Sequence, residues 1–201
     1  MKSSKQRKYL MIALVICFVM PAVAQVMALF TYTPDFNAEF PVYSPDFVLF
    51  LEFGMAFLLL GLTIIGMKAE GEGYILAAGG FTAQAISLGL AGAALFEITT
   101  VSNRETYEKF YYITVTSNFL YFPSLLLIAT YDKFKVWVRA SGFIASLPLL
   151  LSTILFVFKY RNYTVLEEIS SLGYTLIMIT QLFWAGNVYV NYRNEVKESG
   201  S

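Results

Sequence analysis

Six long apolar stretches separated by short polar connections run through this chain, at about 9–30, 47–67, 74–96, 110–131, 136–158 and 165–190. A helix rises about 1.5 Å per residue and needs about 20 apolar residues to cross the hydrocarbon core of a bilayer. Each stretch is therefore long enough to span. In lipid the backbone must satisfy its own hydrogen bonds, which favours helices. The pattern predicts an all-α, polytopic integral membrane protein: one domain over residues 1–201, with six transmembrane helices in a single compact bundle and no soluble domain.

Lys and Arg orient such a bundle, because basic residues collect on the cytoplasmic side. With the N-terminus inside, that side carries Lys2, Lys5, Arg7, Lys8, Lys68, Lys133, Lys135, Arg139, Arg193 and Lys197. The outer side carries Arg104, Lys109, Lys159 and Arg161. Ten against four predicts both termini in the cytoplasm, as an even number of crossings requires. The first stretch also resembles a secretory signal, with a basic start and Ala22-Val23-Ala24 before Gln25. Its apolar run continues through Phe30, and its removal would leave five spans. A retained first helix is expected.

Local composition refines the picture. Of the eighteen residues from Ala77 to Ala94, twelve are Gly, Ala or Ser. Ala85, Gly89 and Ala93 recur every four residues, a strip that lets helices approach closely in lipid. The third helix is accordingly expected to be central, with neighbours on more than one side; a thin-walled pathway along the small face is the alternative. Pro21, Pro123 and Pro148 fall inside spans and favour kinks. The first outer connection, with Pro34, Pro41 and Pro45 among Tyr32, Phe36, Phe40 and Tyr43, is expected to fold over the outer mouth.

Overall composition narrows the chemistry. The chain is 57% hydrophobic and 14% charged, against about a quarter charged in soluble domains. Fourteen basic residues balance fourteen acidic ones, and this zero net charge argues against a nucleic-acid partner. With no His and one Cys, His-ligated metals, His-based catalytic triads and internal disulfides are excluded. No cofactor is expected.

The sharpest chemical candidate is Glu52, about one and a half turns into the second span. A carboxylate within a span costs up to about 3 kcal/mol at the bilayer centre and usually faces the bundle interior or a wet cavity. It is either a cation or proton site, or a carboxyl near the headgroups or bonded to another helix. Asp46, Glu97, Glu167 and Glu168 should lie on the same outer side. There they form either a cation-concentrating vestibule or ordinary charges at helix ends. Gln84, Asn118 and Gln181 place amides inside the spans, on faces shared with Thr114 and Tyr121 in the fourth span and Ser171 and Tyr174 in the sixth. Such groups should face other helices, as an interhelical hydrogen-bond network or as the lining of a polar cavity. Asn162-Tyr163-Thr164 matches the glycosylation pattern, in a loop too short for easy access. Cys17 reads as a small apolar residue.

Three stretches carry a resemblance: the Pro-rich loop feeding the second span (34–53), the small-residue third span (73–97), and a sixth span that opens on Leu166-Glu167-Glu168 and ends in Tyr192-Arg193-Asn194. Together they resemble the six-span DRAM/Frag/Sfk-type membrane proteins and related uncharacterised six-span families. The resemblance implies a six-helix membrane fold and no defined chemistry, so it assigns no site residue. Residues 112–118, Tyr-Ile-Thr-Val-Thr-Ser-Asn, are similar to a motif of AIG-type membrane hydrolases that use Thr with His. Without any His that activity is not expected here.

The expected function is non-enzymatic: an accessory or scaffold subunit in the lipid bilayer, packing against other membrane subunits, lipids or a second copy of itself. The alternative is a small channel or transporter for a cation or small solute, using Glu52, Gln84, Asn118 and Gln181. An intramembrane enzyme would need a general base drawn from carboxylates, Tyr or Lys.

Overall fold

The computed structural model describes residues 4–31, 44–98, 104–160 and 162–199. These form six helices: α1 (Ser4–Thr31), α2 (Pro45–Gly71), α3 (Ile75–Ile98), α4 (Arg104–Ile128), α5 (Val136–Val157) and α6 (Tyr163–Ser199). Among the described residues all six are long and apolar enough to cross a membrane, so the chain is a multispan transmembrane helical protein. The first connection, expected to cap the outer mouth, lies outside the described residues.

Most of the helices outrun the apolar stretches that announced them, but α4 begins and ends earlier than its stretch of 110–131 and α5 stops at Val157, one residue short of its stretch. Hydropathy marks only the part of a helix that meets hydrocarbon, whereas helical hydrogen bonding continues into the headgroup layer. The largest excess is in α6, whose 37 residues reach about 55 Å.

Local chemistry sets several of the ends. Ser44 caps α2 by accepting the Phe47 N–H at 3.2 Å, and its Oγ donates to the Thr31 carbonyl at 2.9 Å. One side chain thus ties the end of α1 to the start of α2. At the other end of α2 the chain reverses through Gly73, whose φ of +89° is a conformation that glycine adopts without strain. The Tyr74 N–H closes this turn on the Ala69 carbonyl at 2.9 Å. Asn162 opens α6, its Oδ1 accepting the Val165 N–H at 3.3 Å. The residue that starts the glycosylation pattern is therefore a helix cap.

Each helix packs against its neighbours in the chain, and α6 returns to pack against α1, so the six close into a ring. The α3–α4 seam is the most extensive and the α4–α5 seam the slightest of the six. The third helix has neighbours on more than one side, as expected, in α2 and α4, but it is a member of the ring like the others and is not central. The middle is filled by side chains instead. Trp184 of α6 meets Phe18 of α1, Phe81 of α3 and Phe134 ahead of α5, with ring centroids 5.6, 5.9 and 5.1 Å apart in edge-to-face geometry. All four rings are buried, and edge-to-face contacts of this kind add about 0.5–1.5 kcal/mol each beyond burial. The α1 segment that resembles a cleavage site is part of this ring, with Ala24 buried beside Gly54 of α2.

Close approach of helices depends on particular glycines. A Cβ at Gly80 of α3 would lie 2.8 Å from the Ser124 carbonyl, the Ile128 nitrogen and the Leu127 Cβ of α4. One at Gly173 of α6 would lie 2.8 Å from Leu149 Cγ of α5. Of the strip Ala85, Gly89 and Ala93, Ala85 packs against the core, whereas a Cβ at Gly89 would meet nothing within 4 Å and Ala93 is exposed. Four-residue spacing defines a face of α3 but not which face meets α4. Burial follows Ala77, Phe81, Gln84 and Leu88 instead, and the large side chains Phe81 and Leu88 pull that face inward.

Candidate functional site

Glu52 sits one to two turns inside α2 and lies against α3. A Cβ added at Gly92 would be 3.3 Å from its Oε2 and 3.6 Å from its Oε1, so this glycine makes room for the carboxyl group. The Oε1 atom is buried with no hydrogen-bond partner. Gly92 was visible in the sequence only as one of many small residues. Its pairing with Glu52 required the α2–α3 register.

The three amides singled out from the sequence take different roles. Asn118 is buried, its Nδ2 donating to Thr153 Oγ1 of α5 at 2.6 Å. Gln84 is 1% exposed and hydrogen-bonds the Tyr121 hydroxyl, while its Oε1 has no partner. Gln181 is 2% exposed; its Nε2 makes a long 3.4 Å contact with its own helix at the Ile177 carbonyl, and its Oε1 is also unpartnered. A fourth amide, Gln25, joins them. It donates to Thr175 Oγ1 at 3.0 Å, across the α1–α6 seam that closes the ring, and it too leaves Oε1 without a partner. Its signal in the sequence was a lone amide in an apolar run, masked there by its place after a possible cleavage site.

Hydroxyl pairs stitch other seams. Ser87 and Ser117 each donate to the other's backbone carbonyl at 2.7 Å, joining α3 to α4. Ser152 of α5 and Ser170 of α6 lie 2.7 Å apart, Oγ to Oγ. These contacts belong to the network reading of the intramembrane polar residues.

Among the described residues no group of three or more His, Cys, Asp or Glu could hold a metal ion, the acidic residues expected on the outer side included. Asp46 and Glu168 are exposed and Glu167 is partly buried, with one carboxyl oxygen unpartnered. The Glu97 side chain lies outside the described residues.

The opposite end carries an array that the sequence did not announce. Lys68 Nζ lies 3.4 Å from Glu72 and 3.8 Å from Glu195. Tyr131 donates to Glu72 Oε2 at 2.9 Å, and Tyr74 donates to Asp132 Oδ1 at 2.5 Å. The bond to Asp132 raises the Tyr74 hydroxyl pKa above its ordinary value. Burial first, and then the Glu72 carboxylate, raise that of Tyr131. Nearby, Asn187 of α6 accepts the Lys135 N–H at 3.2 Å and donates to the Lys133 carbonyl at 2.9 Å. Asn191 donates to the same carbonyl at 2.6 Å, and Arg139 donates to the Ala129 carbonyl. Together these fasten the α4–α5 turn to α6 and α5.

No family model, curated protein or solved structure matches this chain. The resemblance to DRAM/Frag/Sfk-type proteins therefore has no matching family behind it, and what stands is the six-helix transmembrane architecture.

Proposed function

We propose that this protein is a non-enzymatic membrane subunit, with both termini in the cytoplasm, that works by packing in the bilayer against partner membrane chains. The observation that carries this reading is the aromatic packing inside the ring among the described residues. Trp184, Phe18, Phe81 and Phe134 fill the middle of the ring, and the hydroxyls of Ser87, Ser117, Ser152 and Ser170 are spent on joining helices. What such a molecule offers to others is its outer surface, where large side chains such as Leu49, Phe119, Leu126 and Ile144 are exposed. The excess of basic residues near the termini supports the orientation. Extraction of native membranes into polymer nanodiscs, followed by native mass spectrometry, tests the reading. A defined complex with another membrane chain is expected; a lone monomer overturns it.

A second reading, a pathway for a cation or small solute, is favoured by one observation: the buried oxygens of Glu52, Gln25, Gln84 and Gln181 that lack donors. Purified protein in liposomes should then conduct, with Glu52→Gln changing the flux and its pH dependence. Flux indifferent to that substitution removes Glu52 from any pathway.

A further inference from the structure

At the end of the bundle where α1 begins and α6 finishes, a cavity of about 410 Å³ is walled by α1, α2 and α6. Its charged lining is Arg7, Lys68, Glu72 and Glu195, two cations and two carboxylates. Its apolar wall is Leu10, Met11, Leu14 and Val188. Lys68 is committed, lying between Glu72 at 3.4 Å and Glu195 at 3.8 Å, and Glu72 also accepts the Tyr131 hydroxyl. Two groups retain unspent capacity. Arg7 has no ion-pair or hydrogen-bond partner among the described residues. Glu195 has only the long contact with Lys68.

The cavity therefore presents a free guanidinium on α1 and a loosely paired carboxylate on α6, above an apolar wall. A guanidinium offers a fork of N–H donors suited to phosphate oxygens. A carboxylate accepts from a primary ammonium. Arg7 lies in the first turn of α1 and Lys68 in the last turn of α2, which is headgroup depth for helices of this length. Basic pockets between transmembrane helices at this depth bind anionic headgroups; this one is charge-balanced, and a volume of a few hundred Å³ suits a headgroup-sized ligand.

We propose that this cavity holds the headgroup of a zwitterionic aminophospholipid, with its phosphate on Arg7, its ammonium on Glu195 and its glycerol end on the Leu10–Leu14 wall. The balance of charge selects this lipid. An anionic headgroup would satisfy Arg7 but leave Glu72 and Glu195 facing a net negative ligand. A choline headgroup has no N–H to give to a carboxylate.

The test is native mass spectrometry of the full chain in detergent, titrated with phosphatidylethanolamine, phosphatidylglycerol or phosphatidylcholine of identical acyl chains. Free glycerophosphoethanolamine serves as the soluble competitor. Phosphatidylethanolamine should show the highest occupancy, and the free headgroup should displace it poorly. Arg7→Gln should lower that occupancy about fivefold, the effect of one basic residue at a membrane surface. Glu195→Gln should move the preference toward phosphatidylglycerol. Both variants should keep wild-type helicity by circular dichroism, since neither residue holds a close structural contact; if either loses it, the premise that these groups are unspent is wrong. Equal occupancy of the three lipids, a preference for phosphatidylglycerol in the wild type, an unaltered Arg7→Gln protein, or binding of the free headgroup as tight as the lipid would each overturn the proposal.

Discussion

Gly79 and Gly80 are neighbours in the chain and chemically identical, yet substitution should separate them sharply. A Cβ at Gly80 would stand 2.8 Å from two backbone atoms and one Cβ of α4, whereas one at Gly79 would meet nothing within 4 Å. Carbon contacts are most favourable at about 3.5–4.0 Å, so Gly80→Ala requires α3 and α4 to separate by about 0.7–1.2 Å. Backbone cannot rotate out of the way as a flexible side chain does, and the α3–α4 seam is the most extensive in the ring. Overpacking of this kind costs about 1–3 kcal/mol. Replacing glycine within a helix returns up to about 1 kcal/mol. Gly79→Ala should therefore be neutral or stabilising by up to about 1 kcal/mol, and Gly80→Ala should be less stable than Gly79→Ala by about 1–3 kcal/mol. Unfolding by sodium dodecyl sulfate in mixed micelles, followed by circular dichroism, measures the difference. The separation should also loosen Ser87 and Ser117, whose reciprocal bonds span the same seam, so amide exchange there should quicken in the Gly80 variant alone. Equal stability of the two variants would refute the packing argument.

Three further outcomes are expected. A double-mutant cycle on Asn118→Leu and Thr153→Val should return a coupling of about 0.6 kcal/mol, and up to about 1.7 kcal/mol; zero coupling means that the 2.6 Å bond contributes nothing across α4 and α5. Asn187→Ala removes both the acceptor for Lys135 N–H and a donor to the Lys133 carbonyl, so that amide should lose about tenfold in exchange protection while amides at the far end of α6 stay unchanged; uniform acceleration would point to global destabilisation instead. The Tyr131 phenol is held above its ordinary 10.0 by burial and Glu72. The folded protein therefore keeps a proton that the unfolded chain releases, and this contribution is intact below about pH 10 and lost as pH rises toward the higher folded value. Tyr131→Phe should flatten the fall in stability above about pH 10, and an unchanged slope would assign that fall to other groups.

The class of molecule was legible in the chain alone. Six runs of apolar residues of bilayer length, with too few charges to coat a surface, leave transmembrane helices as the solution, because a backbone in lipid has no other source of hydrogen bonds. The chain also marked Glu52 and the amides Gln84, Asn118 and Gln181 as groups that lipid cannot satisfy. Which of them would be spent on neighbours was not legible. Asn118 pairs with Thr153, while Glu52 lies against Gly92 with an oxygen unpaired, and that outcome depends on the rotation of each helix. A helix that is apolar on every side carries little amphipathic signal to say which face turns inward. That is why Gly89 and Ala93 looked like part of a contact face with Ala85, while Gly80, Ser87 and Gly92 make the close contacts. The return of α6 onto α1, which puts Arg7 and Glu195 on the lining of one cavity, joins residues from opposite ends of the chain. No local periodicity encodes such a meeting; only the packing of the whole ring decides it.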